Sequence, residues 1–167
     1  MANYYTTEYN MDSQAPSLAN MLLKNFHLEC LPYTYTVPAG GVANGSILYV
    51  RLLPPGDTWF FPILSRIQFT DMGTGTLLDI GYAAYTGYDG VAVVADDNLF
   101  DDDVDVAASA GEAALGSDFT IAVTTTTTGQ YKKFSSKTGV SIIATVSGSS
   151  LAAAGTIDGY LIIGRAG

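Results

Sequence analysis

Alternation of apolar and polar residues with a period of two is the feature that most constrains the fold of this chain. Tyrosines and a valine alternate with threonines in the run 31–37, which closes on Pro-Ala-Gly-Gly, and similar runs occupy 46–53, 63–70 and 76–85. Further short candidates lie at 90–95, 118–128, 139–146 and 156–163. Short runs of this kind, separated by glycine and proline, are typical of sandwiches and barrels. The pattern predicts an all-β, antiparallel β-sandwich of about eight strands.

The segment 71–75, Asp-Met-Gly-Thr-Gly, predicts a tight hairpin between two of these runs. A two-residue turn there would set Phe69 opposite Leu78 on an apolar face. The same register would place Arg66 diagonal to Asp79 on the other face, within reach of a surface ion pair. We therefore expect these two strands to be neighbours in one sheet.

Length, charge and cysteine content exclude several classes of protein. The chain has 167 residues, which fits one domain, and its single cysteine excludes an intrachain disulfide. A formal net charge of -9 would repel nucleic acid and anionic lipid, so neither is an expected partner. No secretory or membrane-spanning pattern is evident, and we expect synthesis in a cytoplasm.

The first thirty residues differ from the rest and predict an arm, with the sandwich domain at 31–167. Three tyrosines lie among polar residues, and Ser17 could cap a short helix that carries an apolar cluster. The apolar side chains of the arm are Tyr4, Tyr5, Tyr9, Leu18, Met21, Leu22 and Phe26.

Catalytic constellations are poorly supported. His27 is the sole histidine, so it would have to serve any histidine-dependent nucleophile, and no nucleophile-elbow motif accompanies it. Cys30 lies three residues away, a spacing that brings two side chains together only in a helix. We interpret both residues as packing or surface residues and expect no enzyme and no cofactor.

Aromatic and acidic residues keep carbohydrate binding open as an alternative. Abundant tyrosine suits sugar stacking, and two carboxylates across a cleft are what glycoside hydrolysis requires. Interface or core packing is the favoured interpretation of these aromatics. The residues concerned are Asp71, Asp79 and Asp89, with Trp59, Tyr82, Tyr85 and Tyr88.

The acidic stretch 96–105 is the most unusual local feature. It predicts an ordered loop or a single helical turn, either solvated or at an interface. Asp101, Asp103, Asp105 and Glu112 match positions one, three, five and twelve of an EF-hand loop, which leaves Ca²⁺ as a weaker alternative. Val106 stands where the sharp turn of that loop requires glycine, so the motif is incomplete.

The order of these features resembles the capsid decoration, or cement, proteins of tailed bacteriophages. The resemblance rests on SILYVRLLPPGDTWFFPILSRIQFTDMGTGTLLDIGY, on DDNLFDDDVDVAASAGEAALG and on the closing GYLIIG. It implies a jelly-roll-like sandwich that binds the outer surface of a capsid through the major capsid protein, as a homotrimer. It also implies that the arm residues, from Tyr4 to Phe26, contact a neighbouring subunit or the capsid.

Two other functions remain open from the sequence. A carbohydrate-binding module of a phage head or tail fibre would use the same fold and exposed aromatic residues. A carboxylate-dependent enzyme ranks third, because no aspartate or glutamate is singled out by its surroundings in the sequence.

Overall fold

Strands make up most of the chain that the computed structural model describes, which comprises residues 26–107, 110–117, 119, 131–152 and 154–166. A 3₁₀ turn (Pro62–Leu64) interrupts them once within these ranges. The strands are β1 (Phe26–Thr36), β2 (Ile47–Leu53), β3 (Gly56–Phe60), β4 (Arg66–Phe69), β5 (Thr76–Tyr82), β6 (Tyr85–Thr86), β7 (Ala92–Val93), β8 (Asp96–Asp105), β9 (Gly111–Ala114), β10 (Lys132–Ser136), β11 (Val140–Gly148) and β12 (Thr156–Ala166).

The first sheet is built on β12, which pairs antiparallel with β1 along the whole length of both strands. On its other side, β12 pairs with β3 near its carboxyl end and with β4 near its amino end. β3 and β4 therefore occupy one strand position beside β12, which is interrupted at 61–65 by the segment that contains the 3₁₀ turn. β10 and β9 continue the pattern, because β10 pairs with β3 and β9 with β4.

The second sheet has the order β2-β11-β5-β8, and all of its pairs are antiparallel. β3 with β4, and β10 with β9, each occupy one strand position in the first sheet. Counted in this way, each sheet has four strand positions, and the two sheets face each other. The chain crosses between the sheets repeatedly, as in a jelly roll of eight strands. The predicted all-β, jelly-roll-like sandwich is confirmed, and the β6–β7 hairpin is an insertion between β5 and β8.

Aromatic rings fill the centre between the sheets. Phe100 is fully buried, and its ring centroid lies 4.8 Å from that of Phe60 and 5.4 Å from that of Phe119. Tyr82 and Phe134 extend the cluster, with their centroids 5.3 Å apart. Aliphatic side chains surround the rings and complete one continuous core.

The predicted hairpin at 71–75 is wrong, because β4 and β5 lie in different sheets. Phe69 pairs with Ile157 and Gly111, whereas Leu78 pairs with Val146 and Val104. Met72 explains the difference: its side chain is fully buried, and its backbone N–H donates to the Val106 carbonyl at 3.1 Å. The segment thus crosses between the sheets instead of turning back along one.

The acidic stretch is a strand and not a loop or helical turn. β8 pairs with β5 and buries Phe100 and Val104 in the core, so apolar anchoring outweighs the repulsion between its carboxylates. The ladder is irregular, and Asp103 has a φ of 61°, in the left-handed region. Such irregularities bend an edge strand and limit its pairing with other chains.

Two boundaries need comment. β1 begins at Phe26, so residues 26–30, which the sequence assigns to the arm, pair with β12. The predicted strand at 118–128 lies outside the described residues except for Phe119, which is buried. No helix in the described part of the chain is long and apolar enough to cross a membrane.

Candidate interaction surfaces

An apolar strip on the outer face of β2 is the first candidate surface. Ile47, Tyr49 and Leu52 are 50%, 69% and 58% exposed. The alternation in the sequence places Leu52 on the opposite face from Tyr49, but Ile142 pairs with Arg51 and Ile143 with Tyr49. Val50, between Tyr49 and Arg51, is therefore an extra residue in β2. This β-bulge moves the Leu52 side chain to the outer face. We call Ile47, Tyr49 and Leu52 the β2 strip.

Arg51 lies between Tyr49 and Leu52 in the chain and is exposed, but it pairs with the buried Ile142 and so belongs to the other face of this edge strand. It differs from every other cationic side chain in the described ranges, because it makes neither an ion pair nor a ring contact there. The others are Arg66, Lys133 and Arg165, paired with carboxylates, and Lys132 and Lys137, each placed over a tyrosine ring. Exposed arginine is enriched at protein interfaces, and Arg51 lies on a strand at the edge of its sheet.

The acidic surface of β8 lies at the opposite edge of the same sheet. Asp79, Asp102 and Asp103 each present a carboxylate oxygen within 4.8 Å of the others. The Asp79 Oδ1 atom accepts hydrogen bonds from the Asp103 N–H at 3.1 Å and the Ser147 hydroxyl at 2.9 Å. These bonds fasten β8 to β5 and β11, which gives the Asp79 carboxylate a structural role.

The four residues that match an EF-hand loop lie in separate surroundings. Asp101 is buried and accepts a hydrogen bond from the Ser117 hydroxyl at 2.8 Å. Asp105 accepts one from the Ala107 N–H at 2.9 Å. Glu112 belongs to β9 in the other sheet, where it pairs with Arg66 at 3.4 Å. A strand backbone distributes these carboxylates along two sheets, whereas the EF-hand loop wraps them around one point.

A cleft between the β6–β7 hairpin and β10 is the second candidate surface. It is open on one side, has a volume of about 370 Å³, and is lined by Tyr85, Gly87, Tyr88, Asp89, Val93, Lys133 and Ser135. Backbone bonds hold the hairpin on β10, among them Tyr88 N–H to the Ser135 carbonyl at 3.2 Å. The Ser136 hydroxyl adds a bond to the Thr86 carbonyl at 3.1 Å.

Electrostatics in the cleft are mixed in sign. Lys133 Nζ lies 2.7 Å from Asp57 Oδ2, and this bond lowers the pKa of Asp57 below its usual value. Burial, followed by the charge of Asp89, raises the pKa of Tyr85, so its phenol stays protonated at neutral pH. The cleft therefore presents hydroxyl, carboxylate and ammonium groups with no large excess of either charge.

The structure separates most of the aromatic and acidic residues considered for sugar binding. Tyr85, Tyr88 and Asp89 share the cleft, whereas Trp59 and Tyr82 are buried. The other two aspartates lie elsewhere. The Asp71 carboxylate accepts a hydrogen bond from the Gly73 N–H, and Asp79 belongs to β5.

Most of the residues that the sequence analysis proposed for the interface lie outside the described part of the chain. Tyr4, Tyr5, Tyr9, Leu18, Met21 and Leu22 lie outside the described residues, and the backbone of Phe26 begins β1. His27 and Cys30 are exposed in β1, opposite Arg165 and Ile162. Residues three apart in a strand point to opposite faces, so these two do not form a joint site.

Comparisons with known proteins give a likeness of fold. No protein-family model matches this chain, and no curated protein matches it. A chain titled "Cyanophage Pam1 capsid asymmetric unit" superposes with a TM-score of 0.53 at 12% identity, covering 86% of this chain and 87% of that one. A chain titled "Structure of infectious bursal disease virus Gx strain" gives a TM-score of 0.45 at 15% identity, covering 85% of this chain and 32% of that one. The cyanophage chain shares the fold of this protein over most of its own length.

Proposed function

We propose that this protein is a virion structural protein that binds the outer surface of a tailed-phage capsid as a decoration, or cement, protein. The observation that carries the proposal is the fold shared with a chain of the cyanophage Pam1 capsid, over 86% of this chain and 87% of that one. Coverage of this extent on both sides means that the whole sandwich, and not a fragment of a larger domain, is the common unit.

The partner that we propose is the major capsid protein, contacted through the β2 strip. Three large apolar side chains exposed side by side cost solvation free energy unless another surface covers them. Arg51, exposed on the same edge strand, can bind a carboxylate at the rim of that contact. Because the chain carries a net charge of -9, apolar contact and a local cation are better suited than bulk electrostatics to hold it on another protein.

The arm supplies the second set of contacts, on a neighbouring copy in a homotrimer. It enters the sandwich at β1, whose first residue pairs with the last residue of β12. Contacts made by such an arm add to affinity without belonging to the core of the domain. The residues proposed for this role remain Tyr4, Tyr5, Tyr9, Leu18, Met21, Leu22 and Phe26.

The copy number of this chain relative to the major capsid protein tests the proposal. We would measure it by quantitative mass spectrometry on purified particles, with isotope-labelled peptides from both proteins. A near-stoichiometric ratio is expected of a decoration protein. A few copies per particle would place the chain in a tail or fibre and overturn the decoration role, and its absence from particles would overturn the virion role.

A further inference from the structure

The cleft between the β6–β7 hairpin and β10 is preformed. The isolated bridge between Gly87 and Ser136 and the bond from Tyr88 N–H to the Ser135 carbonyl fix the hairpin against β10. Within the hairpin, Gly87 N–H donates to the Val91 carbonyl at 2.8 Å. Binding of a ligand would therefore require little additional ordering of the cleft and little loss of conformational entropy. At about 370 Å³, the space is at the small end of ligand sites.

The groups that line the cleft combine an aromatic platform with polar acceptors and donors. Tyr88 is 54% exposed, and Lys137 Nζ lies over one side of its ring, so a stacked ligand would use the other side. Tyr85 is held edge-on against Phe134, with ring centroids 5.8 Å apart, which fixes its orientation. Asp89 uses Oδ1 to accept the Val91 N–H at 3.0 Å, and within the described residues its Oδ2 makes no hydrogen bond.

We propose that this cleft binds a neutral saccharide unit through stacking on Tyr88 and hydrogen bonds to Asp89. A sugar ring has an apolar face of C–H groups and a rim of hydroxyls, which is the complement of an exposed phenol ring beside a carboxylate. Val93 adds apolar surface at the same site, and Tyr85 adds to its aromatic lining.

The charges around the cleft favour an uncharged ligand over an anion. Lys133 is paired with Asp57 at 2.7 Å and also lies over the Trp59 ring, 5.2 Å from its centroid. Lys137 lies 5.8 Å from the centroid of the Tyr88 ring. Asp89 adds a negative charge, so a phosphate or sulfate would meet no unpaired cation in the lining. The open side of the cleft also exposes too much of any bound group to suit a lipid chain.

Saccharide binding on the isolated, full-length chain tests the proposal. The ¹⁵N-labelled protein would be titrated with the methyl glycosides of glucose, galactose, mannose and N-acetylglucosamine, and binding would be followed by amide chemical shifts. The protein would also be applied to a printed glycan array. We expect shifts confined to residues 85–93 and β10 with at least one glycoside. Tyr88→Ala should weaken that binding about tenfold through lost stacking, and Asp89→Asn should weaken it while keeping the Oδ1 acceptor of the turn.

Tyr49→Ala is the matched control, because it removes another exposed tyrosine that does not line the cleft, and it should leave saccharide affinity unchanged. Thermal unfolding of each variant establishes that the fold is intact. No binding on the array and no shift at millimolar glycoside would overturn the proposal, as would binding that survives both cleft substitutions. The measurement does not involve capsids, so its outcome is separate from that of the decoration role.

Discussion

Phe100 shows how strongly a single core side chain supports the sandwich. Its ring is fully buried and packs edge-to-face against Phe60 and Phe119 across the space between the sheets. We expect Phe100→Ala to lower the free energy of unfolding by about 3–5 kcal/mol, because it leaves a cavity that rigid strands cannot fill. Urea denaturation followed by circular dichroism measures this. Tyr49→Ala, at an exposed site, should change stability by less than about 0.5 kcal/mol, and equal effects of the two would contradict the core assignment.

Tyr33 makes the stability of the protein sensitive to alkaline pH. Burial, followed by the charge of Asp158, raises the pKa of Tyr33 well above its usual range, and the hydroxyl donates to the Arg66 carbonyl at 3.1 Å. Because the folded state holds this proton more tightly than the unfolded chain does, the contribution to stability is complete below pH about 10 and is lost as the pH rises further.

The free energy of unfolding, measured in urea between neutral pH and strongly alkaline pH, should therefore fall above pH about 10. Tyr33→Phe should make that fall shallower, although not flat, because the pKa values of Tyr82 and Tyr85 are raised by burial as well. An identical slope in the wild type and Tyr33→Phe would contradict the role assigned to Tyr33.

Single residues also mark the limit of inference from sequence. Alternation identifies Leu48 and Leu53 as residues of a strand, but it cannot reveal that one extra residue lies between them. The bulge reverses the faces beyond it and exposes Leu52, which creates the β2 strip. A register shift depends on the partner strand β11, which lies about ninety residues away in the chain.

At the scale of elements, the break between β3 and β4 depends on Ser65. Its side chain is fully buried; the hydroxyl donates to the Phe61 carbonyl at 2.9 Å and accepts from the Ile162 N–H at 2.9 Å. It thus replaces ladder bonds that the 3₁₀ turn interrupts. Ser65→Ala should cost about 1–3 kcal/mol, since the part-buried Ile162 N–H would lose its acceptor. Urea denaturation measures the cost; Thr34→Ala, exposed on β1, is the control, and equal losses would contradict this account.

The β2 strip is an element whose proposed role can be tested separately from the fold. Tyr49→Ser combined with Leu52→Ser should leave the thermal midpoint nearly unchanged and weaken binding to capsids that lack this chain, measured by co-sedimentation. Val91→Ser combined with Val94→Ser removes comparable exposed apolar surface from the β6–β7 hairpin and serves as the matched control. If the control reduces binding and the strip variant does not, the capsid contact lies at the hairpin and the assignment of the strip is wrong.

The hairpin expected at 71–75 failed at this scale because turn chemistry is local and sheet membership is not. Glycines with positive φ do occur there, at Gly73 and Gly75, as a tight turn requires. The same segment contains Met72, and burying it between the sheets draws the chain across the sandwich. In a Greek-key fold, consecutive strands often belong to opposite sheets, and nothing in the local sequence distinguishes the two outcomes.

For the whole molecule, the sequence was sufficient for fold class and insufficient for surfaces. Six of the eight period-two runs correspond to strands of the two sheets, namely β1, β2, β4, β5, β11 and β12. The run 90–95 overlaps β7 of the hairpin, and 118–128 lies outside the described residues except for Phe119. The pattern did not predict β3, β8, β9 and β10. The cleft brings Tyr85 and Tyr88 of the hairpin next to Lys133 of β10, and their proximity follows from pairing between distant strands. The acidic stretch shows the converse: its composition indicated a loop, whereas Phe100 and Val104 decided its conformation.

The arm provides the prediction that belongs to the whole molecule. All strands that the structure describes lie at Phe26 or later, so we expect that deleting residues 1–15 leaves the circular dichroism spectrum and the urea midpoint of the sandwich nearly unchanged. Removing Tyr4, Tyr5 and Tyr9 should nevertheless weaken binding to capsids, because aromatic anchors contribute a large share of the energy of an interface. Replacing these three tyrosines by serine in the full chain is the matched control, since it keeps the length of the arm. If the serine variant binds like the wild type while the deletion does not, backbone contacts of the arm carry the affinity. Unchanged binding by both variants would show that the arm takes no part in the contact with the capsid.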